Sequence, residues 1–153
     1  MMKTEITPEE IVSLLHALGY RAMCELDGDI LTVNSASQGF EWEIFVGERN
    51  ENEAANFLIF THSRDVNPVQ FPVGRICNEF NRTSPHGVAT FSMDDNEEIT
   101  EDARVTLDFS ISLIGGVADE WLEDSISRWE LILEIFDKKV RECEEASSKE
   151  DPF

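Results

Sequence analysis

The residue types that act as nucleophiles, acids, bases or metal ligands are all present in this chain, but not at the spacings their chemistry needs. His16, His62 and His86 occur singly, in a predicted helix, a predicted strand and a predicted turn, with no cysteine or carboxylate at ligand spacing. Cys24, Cys77 and Cys143 lie more than fifty residues apart, an odd count without Cys-x-x-Cys or zinc spacing. They read as reduced thiols buried as small apolar groups, as a cytosolic protein would keep them. The run Asp94-Asp95-Asn96-Glu97-Glu98 offers oxygen ligands but lacks the order of a calcium loop, and reads as a solvated hairpin loop. Gly115-Gly116 precedes a helix, yet without GxGxxG or Walker spacing, and Asp119-Glu120 would repel a phosphate from its first turn. Glu41 and Glu43 are i, i+2 on one strand face, where solvation explains them. No serine stands in a Gly-x-Ser-x-Gly elbow. The residues therefore predict no catalytic, cofactor or metal site and no enzyme.

Composition narrows the classes further. The 153 residues suit one domain with a sizeable core, and ten Phe and three Trp supply material for it. Thirty-two acids against twelve bases leave a formal charge of −20. Such a chain is repelled by phosphate backbones and anionic membranes, which argues against nucleic acid and membrane as partners. The start, Met1-Met2-Lys3-Thr4-Glu5-Ile6-Thr7-Pro8, has no apolar signal region, and no stretch approaches the ~18 apolar residues of a bilayer span, so a cytoplasmic location is expected.

The elements that hold these residues alternate between two periods. Thr7-Pro8-Glu9-Glu10 predicts a capped helix start, Ile11, Leu14, Leu15 and Leu18 its apolar stripe, and Gly19 its end. Strands are predicted over 21–26, 30–35 and 40–46, the last with Phe40, Trp42, Ile44 and Val46 on one face, and a central strand over 56–63. Pro68 and Pro72 precede a second helix over 73–82 with Val73, Ile76, Cys77 and Phe80 in one stripe. A turn at 84–87 leads to a strand over 88–93. Residues 103–113 then keep a strict period of two. A long helix over 118–145 repeats Leu122, Ile126, Trp129, Leu133, Phe136, Val140 and Cys143. Short connections between successive strands favour antiparallel pairing, so this order predicts an α+β fold, an antiparallel sheet of about five to six strands with helices mainly on one face.

The last helix carries more apolar surface than covering a sheet requires. Around the stripe, Trp121, Ile132 and Ile135 widen the apolar sector to about half the circumference and Leu131 falls outside even that, against the ~100° a core-facing helix uses. Trp121, Leu131, Ile132 and Ile135 are therefore the candidate interaction surface. Residues 94–153 hold nineteen acids and six bases, so acidity rims this stripe and predicts a partner that is basic, apolar or both.

The segment Ile76-Cys77-Asn78-Glu79-Phe80-Asn81-Arg82, the strands that follow over 87–93 and 104–114, Gly115-Gly116-Val117 and the Leu18-Gly19-Tyr20 end of the first helix together resemble the YbjN domain family, described as bacterial sensory transduction regulators. Phe80 stands where that family often carries Trp, which keeps an aromatic. The resemblance implies a two-layer fold similar to type III secretion chaperones; the chain reads as one domain over 1–146, and the polarity of residues 147–153 reads as a frayed tail. The resemblance also implies binding of proteins, often as a dimer, and no catalytic residues. Asn78, Phe80, Asn81, Arg82, Gly115 and Gly116 match its motif and read as structural, through hydrogen bonding at the helix end and packing on the next strand. The function expected is non-enzymatic regulation or chaperoning in the cytoplasm, as a homodimer that binds another protein. The other reading is a small-ligand or metal-sensing module with an apolar pocket between sheet and helices, lined by Trp42 and Trp129.

Overall fold

The two periods of the sequence become six strands and three helices in the computed structural model, which describes residues 2–37, 39–66, 73–83, 88–92 and 103–149. The acidic run at 94–98, the turn at 84–87 with His86, and Pro68 and Pro72 lie outside the described residues, as does the side chain of Cys143. The order is α1 (Pro8–Ala17), β1 (Ala22–Asp27), β2 (Ile30–Ser37), β3 (Phe40–Val46), β4 (Phe57–Val66), α2 (Val73–Thr83), β5 (Val88–Ser92), β6 (Ala103–Ser112) and α3 (Asp119–Lys149). This is an α+β fold. The strands are ordered β1-β2-β3-β4-β6-β5, with β1/β2, β2/β3, β3/β4 and β5/β6 antiparallel. α3 runs to Lys149, so residues 147–149 continue a helix and are not the tail that their polarity suggested.

The chain contacts divide it into two compact units, Met1–His62 with Phe109–Glu130, and Ser63–Asp108 with Leu131–Phe153. In the first unit α1 starts as its sequence dictates. Thr7 Oγ1 accepts from the Glu10 amide at 3.2 Å, and the Glu10 carboxylate accepts from the Thr7 amide at 3.1 Å, a closed capping box followed by Pro8 at the first helical position. The helix ends in a Schellman motif, with the Tyr20 amide donating to Leu15 O and the Gly19 amide to His16 O. The N-terminal segment is tied down by paired amides, Lys3 with Val117 and Ile6 with Ala55.

β3 buries Trp42, Ile44 and Val46 on the face that meets Trp129 of α3 and turns Glu41, Glu43 and Phe45 the other way. On that buried face Val33 pairs with Ile44 and Ile44 with Phe60. Trp42, Phe60 and Phe109 surround Trp129 of α3, with ring centroids 6.2, 5.7 and 6.5 Å from its own. Tyr20 packs edge to face on Trp42 at 6.0 Å, and burial together with the Glu130 carboxylate pushes its phenol well above the ordinary value.

In the second unit Ile76, Cys77 and Phe80 form the buried stripe of α2, as their spacing predicts, and Phe80 meets Phe136 edge to face at 5.4 Å. β6 buries Val105 and Leu107. Asp137 stands four residues before Arg141 on α3, a spacing that suits an exposed ion pair. It does accept from Arg141 at 2.9 Å, but it is half-buried, because Arg64 also donates to it at 2.9 Å while lying over the Phe136 ring. Burying that charge is tolerable with both guanidiniums present.

Candidate protein-binding surface

The residues with surplus apolar surface on α3 separate once the helix is packed. Leu122, Ile126, Trp129, Leu133, Phe136 and Val140 are buried, as the period requires. Ser125 joins them, because its hydroxyl donates to Trp121 O at 2.8 Å and so meets its hydrogen-bonding need inside its own helix. Taking 100° per residue, the buried positions span roughly 120° and are displaced toward Ser125. Ile132 lies inside that arc and is 2% exposed, so it is core and leaves the candidate surface. Trp121, in the first unit, is half-buried at the edge of the arc. Leu131 and Ile135, in the second unit, are 52% and 43% exposed and lie one turn apart on the same helix flank. These two are what remains of the surface predicted on α3.

The residues of the family-like segment fall on both sides of α2. Phe80 is core, whereas Asn78, Asn81 and Arg82 are exposed. Between them Glu79 links α2 to α3, with Arg75 and Lys139 nitrogens each 3.4 Å from its carboxylate, and Lys139 holds that carboxyl below the ordinary range. Gly115 and Gly116 both have φ near +89°, which lets the chain leave β6 and pair Val117 with Lys3. A Cβ on Gly116 would come within 3.0 Å of the Met2 Cβ. Their role is to turn the backbone.

Sequence reasoning missed the character of β1. It is an edge strand, exposed almost along its length, with Met23 and Leu26 at 67% and 62% exposure. Cys24 lies on it and is exposed, contrary to the expectation of buried thiols, while Cys77 is buried as expected. Burial of the sulfur and, secondarily, the Glu9 carboxylate raise the Cys24 thiol, and burial raises Cys77. The pattern of residues 21–26 indicates a strand, but nothing local says that it has a neighbour on one side only.

The pocket expected between Trp42 and Trp129 is filled by the two rings themselves, which are 3% and 0% exposed and in contact. Among the described residues no group of three His, Cys, Asp or Glu could hold a metal ion. His62 is buried with Nδ1 2.7 Å from Glu41 O, and His16 Nε2 is 3.2 Å from Ala22 O. No described helix is long and apolar enough to cross a membrane.

Comparison with known proteins agrees with this arrangement. The model of the YbjN family, "Putative bacterial sensory transduction regulator", matches residues 7–142. Among solved structures, the crystal structure of YbjN from E. coli, described as a putative transcription regulator, superposes with a TM-score of 0.65 at 16% identity, covering 97% of this chain and 96% of that one. An uncharacterized protein from Methanothermobacter thermautotrophicus superposes with a TM-score of 0.53 at 13% identity, covering 88% of this chain and 99% of that one. At these identities the likeness is one of fold. No curated protein matches the chain.

Proposed function

The chain belongs to the YbjN family, described as "Putative bacterial sensory transduction regulator", and from that premise we propose that it regulates by binding protein, without catalysing a reaction, and that it does so in the cytoplasm as a homodimer. The E. coli relative is described as "a putative transcription regulator". In this chain thirty-two acids against twelve bases oppose direct contact with DNA, so its regulation passes through a protein partner.

The observation that carries the reading is the pair Leu131 and Ile135. Two large aliphatic side chains four residues apart and about half exposed on one helix flank are the i, i+4 anchors by which a helix docks on another protein surface. In a twofold dimer the same flank meets itself, so one pair of anchors serves both subunits. Light scattering at tens of micromolar tests it. Twice the monomer mass of 17.4 kDa is expected for the wild type, with the double variant Leu131→Asp/Ile135→Asp reduced to a monomer of unchanged circular dichroism. A monomeric wild type, or a variant that stays dimeric, refutes the interface.

A further inference from the structure

We propose that the sheet face opposite Trp42 and Ile44, around Gly47, binds an extended segment of a partner protein in which basic residues flank apolar ones. This rests on the protein-binding reading above and assigns it a second surface and the chemistry of its partner.

The register fixes which side chains meet on that face. Thr32 pairs with Phe45 and Phe45 with Ile59. Beyond that row the Gly47 amide donates to Phe57 O at 3.0 Å. Glycine is needed there, because a Cβ would stand 2.9 Å from that same carbonyl oxygen. Gly47 therefore leaves bare backbone beside Phe57, and Ile30 lines the same space. The result is a depression of about 450 Å³ with Ile30, Phe45 and Gly47 in its lining. Ile30 and Phe57 are 56% and 40% exposed.

The rim sets the charge of what would lie there. Asp29, Glu48 and Glu53 border the depression, and the one cation among them, Arg49, is tied to Glu53 in an ion pair. From residue 22 to residue 62 the chain holds eight acids and a single base, Arg49 itself. The loop that bears Glu53 is held in one shape. Asn50 Oδ1 accepts from the amides of Asn52 and Ala54 at 2.9 and 3.1 Å, and the Asn50 amide donates to Ala54 O at 2.9 Å. An acidic rim held in place before binding favours a cationic partner and lowers the ordering cost of capturing it.

The shape sets the rest. With Ile30 exposed and Phe45 only half-buried in its lining, the depression is too open to enclose a small molecule, which binding sites bury by 70–90%. It suits an extended chain lying across the strands, with an apolar side chain over Gly47 and basic ones at Asp29 and Glu48. A second copy of this protein is a poor occupant. Its only adjacent bases are Lys138 and Lys139, and α3 holds these in a helix.

The test uses the full chain and a fluorescein-labelled nonapeptide, KLKLKFKLK, with amide chemical shifts to locate it and fluorescence polarisation to measure it. Shifts concentrated at residues 30, 45–48 and 57 are expected. Ile30→Glu and Glu48→Lys, both at exposed positions, should each weaken binding about tenfold or more, and Leu131→Asp/Ile135→Asp should leave it unchanged. Shifts spread along the acids of α3, equal affinity for both rim variants and wild type, or equal binding of a peptide with every Leu and Phe replaced by Ser overturns the assignment. A wild type that is monomeric yet shows the shifts at Gly47 removes the self-association and supports this surface. A dimer without those shifts removes this surface alone.

Discussion

Trp42 and Trp129 meet edge to face with their centroids 6.2 Å apart, one on β3 and the other on α3, and together they close the space where a ligand pocket was expected. Phe60 touches both rings. Such a cluster stabilises by area and by ring geometry at once. Trp129→Ala should therefore cost about 3–5 kcal/mol in urea unfolding, the range for removing a large buried aromatic. Trp42→Ala should fall short of additivity with it, leaving a coupling energy of about 0.5–1.5 kcal/mol in the double-mutant cycle. Additive losses would mean that the two rings stabilise the core independently.

Acid should weaken the first helix through one carboxylate. Glu10 closes the capping box and accepts from Lys3 Nζ at 2.7 Å, and that hydrogen bond is the main reason its carboxyl lies below the ordinary value of 4.5. A carboxyl depressed in the folded state adds stability that is present above 4.5 and is lost as pH falls through the folded value. Glu10→Gln keeps a capping-box acceptor but removes the charge. The urea midpoint of the wild type should exceed that of this variant at pH 7, and the gap should close progressively below pH 4.5. A gap independent of pH would place the effect in packing instead of charge.

How much of this was legible in the sequence varied with how local the cause was. The capping box, the end of α1 at Gly19 and the alternation of β6 depend on neighbours in the chain, and they stand in the structure where the residues put them. The fold class followed from the order of those elements. The surface was harder to read, because exposure is decided by residues far away in sequence. Ile132 was placed on the wrong side because Ser125, polar by type, is buried, and so displaces the buried arc from where apolar residues alone would centre it. Leu26 looks like core in a strand pattern, yet among the described residues β1 has a strand on one side only. Gly47 gave no signal of its own. It gains meaning only from the register that brings Phe57 beside it.

The two described thiols should differ sharply in reactivity, and Cys24 should be slower than its exposure suggests. Cys77 is buried in α2, so an alkylating reagent meets it only when that helix opens. Cys24 is accessible on the edge strand, but partial burial of its sulfur, and then the Glu9 carboxylate, raise its thiol above the ordinary 9.0 and hold back the thiolate that reacts. In a Cys143→Ser background at pH 7.5, iodoacetamide should modify Cys24 alone, slowly, with a rate that keeps rising past pH 9. Urea should expose Cys77 at the unfolding midpoint. Glu9→Gln removes the nearby charge and should speed labelling of Cys24 at pH 7.5 without changing that of Cys77. Equal rates for the two thiols would contradict the burial of Cys77, and an unchanged rate in Glu9→Gln would leave desolvation as the whole cause of the shift at Cys24.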